Sequence, residues 1–200
     1  MSLPITAEAA PQLAYYEAGV GVLAPRGWHC FGTYGSNGTA LYVSPDQISF
    51  DEIVSNTWKG SAGPAVEIQV NDGGTSGRFA VARMIARVFP DHKAFADNVI
   101  KEGIEPASDF PSGPYADDKL TYRSKEIVEY ETPADTAGLG TMSRLKKSAE
   151  PINGVAILVG PAEQPSLVQL SARLPANLSA LAPLIIQQTE RDTATTSGGQ

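Results

Sequence analysis

The second half of the chain consists mainly of short β-type runs joined by turn-rich segments, and this pattern limits the fold more than any other feature. The runs cover residues 120–130, 140–145, 154–159 and 167–174. Short connections suit neighbouring antiparallel strands, whereas parallel strands need crossovers of a dozen or more residues. We therefore expect a four-stranded antiparallel meander.

The first half adds further strands to this sheet. Residues 19–44 predict two or three strands, with a tight turn at 36–38 of the kind that hairpins prefer. Residues 65–70 alternate, so that Val66, Ile68 and Val70 share one face, as in a half-buried strand. A short helix is expected from Ser44 to about Ser55, because Ser44 can cap it, Pro45 suits its first turn and Gln47 lies three residues after the cap.

Three further segments have helical character. Over 77–89, apolar residues recur at spacings of three and four and leave Arg83 and Arg87 on the polar side. A second helix is expected over 91–100, capped by Asp91 and stopped by Gly103 in a left-handed conformation. We expect these two helices to form one hairpin that lies on the sheet. The last helix begins at Asn177, and its buried stripe is predicted to contain Leu178, Leu181, Leu184 and Ile185.

This order of elements predicts an α+β fold, in which an antiparallel β-sheet carries a mid-chain helical hairpin and a C-terminal helix. Residues 1–18 are expected to form an N-terminal extension or linker. Residues 19–192 are expected to form one α+β domain, and 193–200 a polar tail.

Composition excludes several classes of function. The net charge of -7 argues against a nucleic-acid partner, since phosphate binding needs clustered Lys and Arg. A single cysteine rules out an intrachain disulfide, a thiolate zinc site and a redox pair. No window approaches the ~20 apolar residues of a membrane span. No motif implies a cofactor or a metal.

The start of the chain bears on location. Residues 1–4 lack the basic region and apolar core of a signal peptide, and 2–12 look like a mature N-terminus. We expect that an export signal has been removed and that the protein is periplasmic or secreted. A cytoplasmic location is the alternative.

Several segments together carry a family resemblance. The chain resembles the PsbP-like family in the order of its elements. The segments that carry the resemblance are the early run VLAPRGW, the late runs GVAILVG and LSARLP, and the amphipathic C-terminal helix. The chain is also similar to uncharacterised exported bacterial proteins. The PsbP-like resemblance implies an α/β/α sandwich and a role as an assembly factor, accessory subunit or envelope lipoprotein. Neither resemblance implies a catalytic residue.

The first candidate site is the run Trp28-His29-Cys30, because a histidine beside a thiolate can activate a cysteine nucleophile. Adjacent strand residues point to opposite faces, which separates His29 from Cys30. We expect His29 to lie beside Phe31, and Cys30 to be buried and inert with Trp28.

The second candidate is the Gly-rich segment 71–78, which joins a strand to the strongest helix. Free N–H groups at such a junction suit an anion, and Arg78 adds a charge. The alternative interpretation is a flexible connection capped by Thr75 or Ser76. The ligand-binding candidates are Gly74, Ser76, Gly77, Arg78, His29 and Trp28.

Other polar residues are expected to be solvated. Asp109, Asp117 and Asp118 belong to the long loop 105–118, and none has calcium-loop spacing. His92 is assigned to the surface. Arg83 and Arg87 are expected to be solvated or paired with carboxylates rather than to clamp a phosphate.

These observations favour a non-enzymatic exported accessory or binding domain that acts through a protein partner or a small ligand. The alternative is a hydrolase with Ser76 or Cys30 as nucleophile and His29 or His92 as base. A third possibility is an immunity or secretion-accessory protein whose acidic charge suits a basic partner.

Overall fold

Seven antiparallel strands form the central sheet of the computed structural model, which describes residues 8–55 and 57–197. The strands are β3 (His29–Gly35), β4 (Gly38–Ser44), β5 (Ala65–Asn71), β6 (Lys119–Tyr122), β7 (Ile127–Thr132), β8 (Ile152–Val159) and β9 (Ser166–Arg173). Their order in the sheet is β3-β4-β5-β9-β8-β7-β6. The fold is therefore α+β with a mixed helical and antiparallel content, as the sequence predicts.

Helices cover one face of the sheet at its centre. Helix α2 (Arg78–Val88) and helix α3 (Lys93–Lys101) pack as a hairpin against β7, β8 and β9. The buried side of α2 contains Val81, Ile85 and Val88, as its period predicts. Gly103, at φ +66°, follows α3 in the left-handed conformation that glycine adopts most easily.

The other face is covered by a separate hairpin and the last helix. Strands β1 (Leu13–Glu17) and β2 (Gly21–Pro25) pair with each other, and helix α4 (Ala182–Ser197) lies beside them. Valines and isoleucines of β5, β8 and β9 pack against Leu181 and Ile185. The sheet is thus sandwiched between two different covers.

Several predicted elements differ from the structure. Residues 120–130 form two strands, because a turn at 123–126 folds the run into the β6–β7 hairpin. Residues 140–145 do not form a strand; 3-10 helix Leu139–Met142 includes the first three of them, and a turn follows at 143–144. The observed meander is therefore β6-β7-β8-β9. It has four strands, as predicted, but two of them come from residues 120–130 and none from 140–145.

Element ends also differ from the prediction. Helix α1 (Phe50–Val54) begins at a capping box of Ser49 and Glu52, so Ser44 instead ends β4. A 3-10 turn precedes α3 and another precedes α4, which displaces Asp91 and Asn177 from their predicted capping positions.

The predicted ends of the domain lie inside regular structure. Residues 13–17, expected in an extension, form β1, and Leu13 is buried in the core. Helix α4 continues to Ser197, into the segment expected to be a polar tail. Residues 1–7 and 198–200 of the two predicted segments lie outside the described residues.

Candidate functional site

A row of polar side chains lies on the central strand β5 and faces the same side as helices α2 and α3. Alternation directs Val66, Ile68 and Val70 to the α4 side, so that Glu67, Gln69 and Asn71 lie on the opposite side. The register then places Tyr42 of β4 opposite Glu67 and Ser171 of β9 on its other flank. These residues form the most polar part of an otherwise apolar sheet.

Glu67 is 1% exposed, and both of its carboxylate oxygens accept hydrogen bonds. Tyr42 Oη donates to Oε1 at 2.8 Å, and the backbone N–H of Arg144 donates to Oε2 at 2.6 Å. Burial raises the pKa of Glu67 from its ordinary 4.5 to about 7, because desolvation outweighs these donors. The carboxyl group therefore changes its protonation state near neutral pH.

A second buried network continues from Gln69 towards the helices. Gln69 Nε2 donates to Gln169 Oε1 at 2.7 Å, and Gln169 Nε2 donates to the Leu139 carbonyl at 2.9 Å. Tyr130 Oη donates to the Leu170 carbonyl at 2.7 Å, and burial raises the pKa of Tyr130. Because these groups satisfy one another, the inner part of the row is fixed in position.

The outer part of the row faces an open cavity of about 340 Å³. Helices α2 and α3 cover the inner half of this face, and at the β3–β4–β5 end the cavity is bordered by Ile53 of α1 and by residues 142–144. Polar side chains dominate the lining, among them Thr33, Glu67, Gln69, Asn71 and Arg144. The cavity is therefore a polar site built on rigid strands.

Asn71 is the least satisfied group of this cavity. The residue is 5% exposed, and its Nδ2 donates to the Asn37 carbonyl at 3.1 Å. Its Oδ1 has no hydrogen-bond partner among the described residues. A buried carbonyl oxygen without a donor costs roughly 1–3 kcal/mol.

Aromatic groups border the cavity. Tyr42 lines it and packs edge-on against Trp58, with ring centroids 4.7 Å apart. The Arg144 guanidinium lies over the Trp58 ring at 5.9 Å. Trp58, which the sequence shows only as a scattered aromatic, thus supports the wall that holds Glu67.

A second cavity, of about 420 Å³, lies on the opposite face between the β1–β2 hairpin and α4. Its lining is mainly aliphatic and includes Val70, Val159 and Val168. Its ionisable groups are Tyr15, Glu17 and Asp192, and the Tyr15 hydroxyl donates to Asp192 at 3.3 Å near the surface. Two buried polar side chains, Glu67 and Asn71, line the first cavity, whereas Thr189 is the buried polar side chain that lines the second; the first cavity is therefore the candidate site.

The Gly-rich segment joins β5 to α2 as predicted, but the guanidinium of Arg78 is already paired with a carboxylate. Arg78 donates to the Glu102 carboxylate, the shortest contact being 2.8 Å, and its Nη1 donates to the Thr75 carbonyl. Ser76 Oγ lies 3.0 Å from Ser36 Oγ. Gly74 is exposed, while Gly77 is buried at the start of α2. The arrangement stabilises the helix start.

The sequence candidates are not brought together. Ser36, at the turn end of β3, touches Ser76, whereas His29 begins the same strand about 20 Å away, at roughly 3.3 Å per residue. Trp28 packs against the core on the α4 side, and its backbone N–H donates to the Tyr16 hydroxyl at 3.1 Å. His29 and the Gly-rich loop therefore do not form one site.

Cys30 is exposed, and the prediction that it is buried is wrong. Register places it opposite Val43 and places His29 opposite Ser44, so the predicted separation of the two side chains is confirmed. The strand that carries Cys30 is the edge of the sheet, and within the described ranges no further strand covers it. Exposure at an edge overrides the usual preference of free cysteine for the core.

His92 also differs from its prediction. Its side chain is only 15% exposed, and Nε2 lies 3.8 Å from the Glu126 carboxylate. Within residues 8–55 and 57–197, no hydrogen bond joins Ser76 or Cys30 to a histidine. The geometry of a Ser–His or Cys–His pair is therefore not assembled there.

The long loop 105–118 is fastened by the arginines of α2. Arg83 pairs with Glu105, and Arg87 Nη1 donates to the Gly113 carbonyl at 3.1 Å. Their predicted pairing with carboxylates is confirmed for Arg83. Asp118 is not simply solvated, because it accepts from Thr132 and from the Leu139 N–H.

The sequence carries a signal for the cavity in the alternation of two strands. Both 65–70 and 167–174 alternate, and the polar residues between the aliphatic ones include Glu67, Gln69 and Gln169. Adjacent alternating strands align such residues on one face. A half-buried strand would leave that face to solvent, whereas the structure buries half of it under α2 and α3.

Comparison of the chain with protein-family models, curated proteins and solved structures finds no match. No helix among residues 8–55 and 57–197 combines the length and apolar character required to cross a bilayer. The same residues contain no group of three or more His, Cys, Asp or Glu side chains placed to hold a metal ion.

Proposed function

We propose that this protein is a non-enzymatic binding domain that takes a small, neutral, hydroxyl-rich ligand in the polar cavity of its sheet. The observation that carries the proposal is Asn71, a buried side chain that lines the cavity and whose Oδ1 lacks a donor. Hydroxyl groups both donate and accept, and they match the amide and hydroxyl groups around it.

Charge favours a neutral ligand. Glu67 has a pKa of about 7 and already accepts two hydrogen bonds, so it acts as a fixed wall rather than as a free anion. Arg144 lies nearby, and the remaining polar lining is uncharged. The lining therefore carries one carboxyl group and one guanidinium, a balance that suits an uncharged ligand.

Size favours a ligand like a monosaccharide or a short polyol. At about 30 Å³ per water, a cavity of about 340 Å³ has room for roughly eleven water-sized groups. The Tyr42 ring, held edge-on against Trp58, forms part of the lining and offers an apolar surface against which the C–H groups of a sugar can pack.

Two further proposals concern the setting of this domain. The helices on one face and the hairpin and helix on the other support a PsbP-like sandwich in an accessory role. We also propose a periplasmic or secreted location, on the resemblance to exported bacterial proteins. N-terminal sequencing of the protein from its native host tests the location, and an unprocessed cytoplasmic form would contradict it.

Binding is tested by ligand-observed NMR with a panel of monosaccharides and polyols, followed by titration calorimetry of each hit. Asn71→Ala is expected to weaken binding of a hit at least tenfold, since its carbonyl and amide are removed. Asn153→Ala is the matched control, because Asn153 and its register partner Ala172 lie on the α4 side of the sheet. Equal affinity in both variants would contradict the site.

A blocking variant tests the same site without altering the buried network. Thr33 lies on the edge strand at the cavity wall and is half-buried, so Thr33→Phe fills space with little risk to the fold. Thr121→Phe, on the distant strand β6, is its control. We expect Thr33→Phe to abolish binding. Undiminished binding, or no hit from the panel, would refute the proposed ligand class.

A further inference from the structure

The two edges of the central sheet differ in how they are protected. At one edge, β6 has four residues, and Lys119 and Arg123 beside it pair with Glu131 and Glu129. Short length and charge are the usual devices that prevent an edge from pairing with another chain. This edge is therefore closed to further strands.

The other edge has neither device. Strand β3 has seven residues, HCFGTYG, without proline and without Lys, Arg, Asp or Glu. Each residue is exposed or half-buried. Among residues 8–55 and 57–197, no strand pairs with β3 on the side away from β4. A long, uncharged and uncovered edge is a template for strand pairing.

The register shows which backbone groups are free. Ser36 and Asn37 form a two-residue turn between the paired residues Gly35 and Gly38. The residues that flank such a turn are hydrogen-bonded to each other, and bonding positions alternate along an antiparallel pair. The N–H and C=O groups of Cys30, Gly32 and Tyr34 therefore point away from β4.

We propose that β3 pairs antiparallel with β3 of a second copy of this chain, about a twofold axis at Gly32. In this register Gly32 faces Gly32 of the other copy, and Cys30 of each copy faces Tyr34 of the other. Three pairs that each exchange two hydrogen bonds form about six bonds in total. The two seven-stranded sheets become one continuous sheet.

Self-complementarity favours a second copy over a different partner. In a twofold contact both copies use the same strand. A strand with a net charge would therefore repel its own copy, and β3 contains no Lys, Arg, Asp or Glu. Tyr34 is 93% exposed and Cys30 is exposed on the same face of the strand. The pairing covers both, because each Tyr34 ring lies over the opposite Cys30.

Gly32 fits the centre of this contact. A Cβ at this position would lie 2.7 Å from the Ala18 Cβ, so the β1–β2 turn already occupies one side of it. The pairing is independent of the ligand proposed for the cavity.

Disulfide trapping with Tyr34→Cys tests the register. Residues 30 and 34 of one strand lie about 13 Å apart, too far for an intrachain disulfide. Directly opposed residues in a hydrogen-bonded pair lie about 5.5 Å apart between Cα atoms, which suits a disulfide. We expect a covalent dimer linked between Cys30 and the introduced cysteine, identified by peptide mapping after oxidation with oxidised glutathione, which is reduced to two thiols as the disulfide forms.

Matched controls separate this contact from random oxidation. Wild type has only Cys30, and Thr33→Cys places the second thiol on the other face of β3, so neither should form the linked dimer efficiently. Equal cross-linking of Thr33→Cys and Tyr34→Cys, or none in either, would overturn the register.

Sedimentation equilibrium tests the association without a disulfide. We expect a concentration-dependent dimer of wild type that strengthens between low and high salt, because each copy carries a net charge of -7. Tyr34→Lys, at a side chain that the monomer does not bury, should weaken it at least tenfold. A monomer at 0.5 mM in 0.5 M salt, or a dimer unaffected by Tyr34→Lys, would overturn the proposal.

Discussion

The buried carboxyl of Glu67 makes the stability of this fold depend on pH. Its pKa is about 7 in the folded protein and near its ordinary 4.5 in the unfolded chain, because burial disfavours the charged form. Between these values the folded state holds a proton that the unfolded state has released. The contribution to stability is therefore fully present below pH 4.5 and is lost as pH rises through 7.

The shift sets the magnitude of this effect. A difference of about 2.5 pKa units corresponds to about 3 kcal/mol, and about 2.5 kcal/mol of it is lost between pH 5 and pH 8. Folded domains are stable by only about 5–15 kcal/mol, so the loss is measurable.

Urea unfolding of wild type and Glu67→Gln at pH 5, 6, 7 and 8 measures it. The substituted amide keeps the shape of the side chain but cannot accept from both Tyr42 and the Arg144 N–H, which adds a constant cost. We expect the stability of wild type relative to the variant to fall by about 2–3 kcal/mol from pH 5 to pH 8.

Groups other than Glu67 titrate in both proteins, so their effect on the free energy of unfolding cancels in the difference between wild type and Glu67→Gln. Glu163→Gln, at an exposed loop position, serves as the control and should track wild type at every pH. A difference between wild type and Glu67→Gln that stays constant within about 0.5 kcal/mol would refute the reasoning, since it would mean that Glu67 titrates alike in both states.

Further outcomes follow from other contacts. Cys30 should react with Ellman's reagent in the native protein without a lag, and protection until unfolding would contradict its exposure. Arg87→Ala should speed chymotrypsin cleavage within 105–118 several-fold, and an unchanged rate would show that this arginine does not fasten the loop. Tyr130→Phe removes a buried donor to Leu170 and should cost about 1–3 kcal/mol in urea unfolding; a negligible loss would contradict the network.

Local elements were predictable because their signals are local. The period of α2, the alternation of β5, the short β-type runs of β8 and β9, and the Gly103 stop depend on neighbours within a few residues. Predictions were wrong where a turn interrupts an even pattern, as in 120–130, or where polar loop residues imitate a strand, as in 140–145.

The polar cavity was only partly predictable. Alternation alone assigns Glu67, Gln69 and Asn71 to one face, but the sequence does not show what covers that face. Half of it is buried by α2 and α3, and the other half is bordered by residues near 144. The cost of burying Glu67, and hence its pKa, comes from that cover.

Hydrophobic period and turn residues act over short distances, so the amino-acid sequence is sufficient to predict an α+β chain of antiparallel strands with a helical hairpin. Only the tertiary structure brought Arg144 to Glu67 across 77 positions and left β3 at the edge of the sheet. Long-range pairing and burial depend on which strands become neighbours. For this reason the cavity, the exposed Cys30 and the free edge appear only in the folded protein.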